Sequence, residues 1–263
     1  MYRTIGDIFA YDLFNILAIV MPFLTGFFLV KAKSDSLGLW SQKIAYIIMR
    51  HDLKYETISM YSLAFIEVVI MVFSGMLATA FNIPMAKITE TGYYNYFGGL
   101  FVFPIIWTIV SIILVANPLD NIDIITIILP VHLFFSKLAC FCNGCCWGIE
   151  WKYGLYNHHY DHPGCQVPVQ AIEAFWAVLI LLILLAIRNK AKPGTLLPIY
   201  MILYSATRFC SEFLRREENV FLIFKTYHIL CVLGVVSGII LLCIVNKYRD
   251  RIDEYYYKKY EEI

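Results

Sequence analysis

Tyr204, Arg208, Glu212 and Arg215 follow one another at intervals of four, four and three residues, so a helix places all four on one face. An arginine fork on such a face matches the oxygens of a phosphate, and a carboxylate one turn away orients it. The same spacing also serves an internal ion pair that only locks helix packing. A second group lies in Ser136–Gly148, SKLACFCNGCCWG, where Cys140, Cys142, Cys145 and Cys146 crowd together, with Cys165, His158, His159 and His162 downstream. Thiolates and imidazoles of this kind suit zinc or an iron–sulfur cluster, although C-x-C-x-x-C-C is not a standard ligand spacing. A redox pair of thiols is a further reading. The plainest is close packing by small cysteines, eased by Gly144 and Gly148. Single cysteines at 210, 231 and 243 read as packing residues. His132 and His228 read as satisfied interior histidines, and Gly98-Gly99 as either a backbone N–H cradle for an anionic head group or a helix start.

These groups sit in a chain that cannot be an ordinary water-facing enzyme. Of its 263 residues 60% are hydrophobic and 16% charged, against about 45–50% and about 25% in soluble domains. Twenty-one Lys and Arg against 20 Asp and Glu leave a net charge of +1, with no basic surplus for a nucleic-acid partner. In lipid a continuous apolar run of roughly 20 residues must be a helix. Such runs cover Phe9–Val30, Leu63–Ile83, Phe97–Ala116, Val169–Ile187, Leu196–Leu214 and Phe221–Val245. A seventh begins at Ile122, is uninterrupted only to Phe135, and extends toward Trp147 if it is one kinked helix. The first run lacks the basic flank and cleavage site of a signal peptide and is kept as a span.

The expected fold is therefore all-α: a single polytopic membrane domain over 1–263 with about seven transmembrane helices. Thirteen Lys and Arg fall on one side of that arrangement and six on the other, so the positive-inside rule puts the N-terminus outside and the C-terminus in the cytoplasm. Residues 136–168 then form an extracytoplasmic Cys-rich loop. Residues 34–60 carry Trp40 and an apolar cluster between basic residues, which suits a cytoplasmic interfacial helix or a solvated loop. Residues 247–263 read as the last helix continuing into water. Tyr93, Tyr94, Tyr96, Trp147 and Trp151 read as an aromatic belt. Ionisable groups inside spans cost at least about 2.5–3.5 kcal/mol each and normally face a protein interior. Glu67, Glu173, Arg208 and Glu212 are such groups.

Three segments, in order, resemble the bacterial prolipoprotein diacylglyceryl transferases. Tyr204-Ser-Ala-Thr-Arg208-Phe-Cys-Ser-Glu212-Phe-Leu-Arg215 is similar to that family's Y-G-x-x-R-F-x-x-E-x-x-R helix, and Val167-Pro168-Val-Gln170-Ala-Ile-Glu173 to its H-P-x-Q-L-Y-E segment. Ser136–Gly148 stands at the place of its G-R-x-G-N-F-x-N-x-E loop and keeps Phe141, Asn143 and Gly148. The resemblance implies transfer of the diacylglyceryl group of phosphatidylglycerol to the lipobox cysteine of a prolipoprotein, at the outer face of a bacterial cytoplasmic membrane and without a cofactor. It implies that Arg208 holds the phosphate, Glu212 orients Arg208, and Lys137 stands for the signature arginine. Asn143, Gln170, Glu173, Tyr204 and Arg215, with Gly98 and Gly99, would then line the substrate site. Departures accompany it: Lys137 replaces the arginine, Cys140 and Cys145 replace an asparagine and the glutamate, and Phe97 and Val167 replace two histidines. These admit a diverged member with another acceptor or glycerolipid, while the cysteine cluster keeps open a metal-binding or thiol-redox membrane protein.

Overall fold

The computed structural model describes residues 5–32, 56–88, 96–113, 117–157, 164–216 and 225–261. Among them eight helices and one two-stranded sheet form, in the order α1 (Ile5–Ala32), α2 (Glu56–Thr79), α3 (Asn82–Ile88), α4 (Tyr96–Ile113), α5 (Pro118–Asn143), β1 (Glu150–Asn157), β2 (Gly164–Gln166), α6 (Val169–Ile187), α7 (Leu196–Glu212) and α8 (Thr226–Glu261). Six helical stretches are long and apolar enough to cross a membrane. Their outward faces carry large apolar side chains, including Phe9, Phe28, Phe73, Ile105, Leu182 and Ile240, each at least half exposed. Water would not tolerate such continuous apolar faces, but hydrocarbon does. The chain is an all-α polytopic membrane protein.

Local chemistry sets the boundaries. Asn117 accepts the Leu119 N–H at 3.0 Å, and Pro118 takes the first helical position of α5, where its missing N–H costs nothing. From that cap α5 runs 26 residues through Pro130 to Asn143, about 39 Å at 1.5 Å per residue. The apolar run that begins at Ile122 is thus part of a full-length span that takes in Lys137, Cys140 and Cys142. It stops at Asn143, short of Trp147. The run Leu63–Ile83 is broken by a turn at Ala80 and Phe81, after which α3 starts. α7 has 17 residues, roughly 25 Å, and is the shortest of the predicted spans. α8 continues to Glu261.

The predicted loop 136–168 is not simply a loop. Its first eight residues close α5, and β1 pairs antiparallel with β2, with a bulge that sets both Glu150 and Leu155 opposite Gln166. His158, His159 and His162 lie outside the described residues, as do Tyr93, Tyr94 and positions 34–55 of the interfacial segment.

The chain's contacts gather into two units. One takes the start of α1, Ile127–Asn189 and Tyr200–Val236, and so holds most of α5, the sheet, α6, most of α7 and the start of α8. The other takes Phe23–Thr126, Lys190–Ile199 and Ser237–Ile263. In this second unit α2 and α3 pack on α4. A Cβ on Gly98 would lie 2.3 Å from the Phe81 carbonyl oxygen, and the buried Asn82 accepts the Gly99 N–H at 2.5 Å. The glycine pair lets α4 approach the α2–α3 turn, and the Gly99 N–H is already engaged. At the other end of the same unit Asp123 accepts the N–H groups of Gly194 and Leu196 at 2.9 and 3.0 Å, which holds the turn entering α7.

Candidate active site

Within the first unit, α5, α6 and α7 each bring charge to one place. Glu173, on the first turns of α6, is the hub: it accepts from Arg208 on α7, from Lys137 Nζ on α5 at 2.7 Å, and from Arg215 Nη2 just beyond α7 at 3.0 Å. Arg208 also donates to Glu212 at 2.8 Å, and Arg215 Nε stands 3.9 Å from the same carboxylate. The predicted helical face therefore holds for Tyr204, Arg208 and Glu212, while Arg215 joins the cluster from beyond the end of the helix. Arg208 is 7% exposed, Glu173 5% and Glu212 0%. Burial of this depth costs several kcal/mol per ion unless partners are close and well oriented. Here three cations face two carboxylates, which leaves one positive charge for an anion to neutralise.

That charge borders a cleft. Lys137, Glu173, Arg208 and Tyr204 line it together with Leu133, Trp176 and Ile180. The Tyr204 ring stacks on Tyr200 with centroids 5.9 Å apart, and Arg208 lies 4.8 Å from the Tyr227 ring centroid. A lining that mixes a cation with apolar side chains suits a molecule that carries both an anionic and an aliphatic part.

Two further polar side chains of this unit lie outside the lining of the cleft. Gln170 is fully buried and donates through Nε2 to the Cys145 carbonyl. Its Oε1 and the Asn143 Oδ1 are buried with no hydrogen-bond partner among the described residues. Buried acceptors of this sort are rare without a role. Sequence reasoning overlooked Lys225, which is 5% exposed and whose Nζ donates to the carbonyls of Glu212 at 2.8 Å and Arg215 at 2.5 Å. It caps the C-terminus of α7, where the helix dipole favours a cation. A lysine inside the first turns of the run Phe221–Val245 was its one signal. His228 accepts the Lys225 N–H at 3.0 Å and packs against Phe209 and Phe213. His132 meets the Ala18 carbonyl at 2.7 Å.

The cysteine segment folds by helix-capping chemistry. Gly144, at φ +71°, stands just past the end of α5. Its N–H donates to the Phe141 carbonyl at 3.1 Å, while the Cys145 N–H reaches back to the Cys140 carbonyl at 3.2 Å. This pair of bonds is a Schellman motif, which by construction sets the residue after the glycine against the residue five positions before it. In most proteins that contact is apolar, but here it joins Cys145 to Cys140. Cys146 follows at φ +62°, a left-handed conformation that costs a residue with a side chain roughly 1–2 kcal/mol. The result brings the sulfurs of Cys140, Cys145 and Cys146 within 4.8 Å of one another. Cys142 is not in the group. The Cys145 thiol donates to the Cys140 carbonyl at 3.6 Å, and the neighbouring thiols of Cys140 and Cys145, with Lys137 and Arg215 nearby, hold the Cys146 thiol well below the usual range.

Close backbone approach ties this turn to the charged cluster. The Gly148 N–H donates to the Val167 carbonyl and the Ile149 N–H to the Leu214 carbonyl, both at 2.9 Å. A Cβ on Gly148 would sit 2.3 Å from the Leu214 oxygen and 2.6 Å from Val169 Cγ2. Only glycine fits there. Of the predicted site residues, Lys137, Asn143, Gln170, Glu173, Tyr204, Arg208, Glu212 and Arg215 all lie in this unit, whereas Gly98 and Gly99 belong to the other.

Residues 5–244 match the family model described as prolipoprotein diacylglyceryl transferase. The chain is 34% identical over 132 residues to the phosphatidylglycerol–prolipoprotein diacylglyceryl transferase of Chlorobaculum tepidum, covering 47% of this chain and 46% of that protein. It is 31% identical over 160 residues to the enzyme of that name from Agrobacterium fabrum, covering 56% and 54%. To the phosphatidylglycerol–prolipoprotein diacylglyceryl transferase 2 of Clostridium perfringens it is 28% identical over 143 residues, covering 51% and 55%. The chain spans about half the length of these curated relatives.

Proposed function

The chain belongs to the prolipoprotein diacylglyceryl transferase family, and from that premise we propose that it moves the diacylglyceryl group of phosphatidylglycerol to a lipobox cysteine at the outer face of a bacterial cytoplasmic membrane. The observation that carries this reading is Arg208: a buried guanidinium held by Glu173 and Glu212 in a cleft lined by both polar and apolar side chains.

The reaction breaks a carbon–oxygen bond, and the electron pair leaves with glycerol phosphate. Rate then depends on fixed cations placed where charge grows, in a site that excludes water. Arg208 supplies the fork, and the two carboxylates fix its orientation without cancelling the cluster's net charge. Lys137 contributes a point charge in place of the family's arginine, and so attracts a phosphate without bidentate alignment. Gln170 Oε1 and Asn143 Oδ1 accept from head-group hydroxyls. Leu133, Trp176 and Ile180 face the aliphatic part of the donor. Six helical stretches long and apolar enough to cross a membrane support a bilayer setting for this cleft, and the distribution of Lys and Arg over the predicted spans supports an N-terminus outside.

Transfer of labelled diacylglycerol from phosphatidylglycerol vesicles to a lipobox peptide tests the reading. The purified chain is expected to label the peptide and release glycerol phosphate, and a peptide with serine for the lipobox cysteine is expected to stay unlabelled. Failure of a folded, lipid-binding chain to label the cysteine peptide overturns it in favour of another acceptor.

A further inference from the structure

In the reaction proposed above the acceptor thiol must lose a proton. The Cys140–Cys145–Cys146 group offers a way to make a thiolate. We infer that these three cysteines hold one zinc ion whose fourth position takes the acceptor thiol.

Three observations carry this. First, the three sulfurs already lie within 4.8 Å of one another. Zinc–sulfur bonds of about 2.3 Å in a tetrahedron place sulfurs roughly 3.8 Å apart, so a small closing movement makes a site. Second, the backbone is committed to that arrangement: a Schellman turn sets Cys145 on Cys140, and Cys146 accepts a left-handed φ of +62°. Strain at a non-glycine residue persists where the surroundings demand it, and it gathers at functional sites. Third, Lys137 and Arg215, which face Glu173, also lie near the Cys146 sulfur, and so offset part of the negative charge that thiolates around a divalent ion carry. The Asn143 side chain hydrogen-bonds the Cys145 sulfur, the kind of outer-shell support that orients metal ligands.

Three protein ligands with one open position are the pattern of a catalytic zinc, whereas structural sites close with four. Cys140 and Cys145 are half-buried and Cys146 is exposed, which leaves a side from which a peptide thiol can enter. On binding, the acceptor thiol releases its proton to solvent. Its sulfur then forms the carbon–sulfur bond to the glyceryl carbon as the bond from that carbon to the phosphate oxygen breaks. The electron pair leaves with glycerol phosphate toward Arg208. The thioether product carries no charge and is a weak ligand, so it leaves the ion.

The full-length protein purified with zinc supplied is expected to carry one zinc per chain by elemental analysis. Cys140→Ser, Cys145→Ser and Cys146→Ser should each lower zinc affinity at least about tenfold, while Cys142→Ser, outside the cluster, keeps it. In the cobalt-substituted protein a lipobox cysteine peptide should change the sulfur-to-metal absorption, and a serine peptide should not. Absence of stoichiometric zinc, or a disulfide among the three cysteines in active protein, overturns the site. A cobalt spectrum indifferent to the cysteine peptide overturns the open fourth position. The inference rests on the proposed reaction, and the two fail separately. Full transfer by metal-stripped protein sinks the zinc and leaves the reaction, whereas bound zinc and a peptide-dependent spectrum without transfer sink the reaction and leave the site.

Discussion

The first unit holds two clusters of chemically active side chains, built in opposite ways. Glu173, Arg208 and Glu212 sit on regular helices, and their positions follow from periodicity: Arg208 and Glu212 are one turn apart on α7 and meet at 2.8 Å. The three thiols sit where a helix ends, and their positions follow from two left-handed residues, Gly144 and Cys146. Charges held by helices are costly to bury but hard to displace, because their backbone is hydrogen-bonded on its own account. Thiols held by a cap depend on a few loop bonds and on Gly148. The charged cluster should therefore respond to loss of a side chain, and the thiol cluster to loss of backbone geometry.

The largest effect is expected at Arg208. Arg208→Ala removes a buried cation from between two carboxylates, and transfer should fall by a factor of about 10²–10³ or more. Breaking the buried pair should also lower stability by about 3–5 kcal/mol, read from thermal unfolding in detergent. Arg208→Lys keeps the charge but loses the fork and should remain strongly impaired. Retention of full transfer by either variant would remove Arg208 from the reaction. Next comes Glu173→Gln, which preserves shape but frees three cations from their common carboxylate. Transfer should drop by roughly one to two orders of magnitude through misorientation of Arg208, with binding of phosphatidylglycerol less affected because the net positive charge rises. A fall in lipid binding alone would make Glu173 a substrate contact rather than a positioning residue.

The difference in construction also explains how much was legible beforehand. The polar face of α7 was readable because helical spacing and the oddity of ions in an apolar run are both sequence properties. Glu173 was visible as an intruder, but its role as hub depends on how α5 and α6 meet α7, which no local pattern encodes. The span from Ile122 looked short because Lys137 and the cysteines interrupt its apolar character, yet backbone bonding carries α5 through them to Asn143. The β1–β2 pair was missed because β2 has only three residues and β1 is bulged and mostly exposed rather than alternating. The thiol cluster was seen as a list of ligands with an unfamiliar spacing. Its geometry rests on a Schellman turn, which makes a five-residue separation a contact.

Gly148→Ala tests the joint between the clusters. Its Cβ would overlap the Leu214 oxygen and Val169, and overpacking of this kind costs about 1–3 kcal/mol. Zinc content and transfer should fall together, since the turn that bears Cys145 and Cys146 must shift. Loss of transfer with zinc retained would show that the backbone matters to the charged side alone.

The smallest effect is expected at Lys225, which donates to the carbonyls of Glu212, the last residue of α7, and of Arg215 just beyond it. Lys225→Met keeps the apolar stem but removes donors to Glu212 and Arg215, so the cost should be about 1–3 kcal/mol in stability. Arg208 lies a full turn before those carbonyls, and its own partners are side chains that the substitution leaves in place. Transfer should therefore stay within about tenfold of the parent, while the thermal midpoint falls measurably. A loss of transfer as deep as that of Arg208→Ala, at unchanged stability, would mean that the end of α7 and its buried charges act as one unit. The distinction between helix-held and cap-held chemistry would then fail on the very helix that defines it.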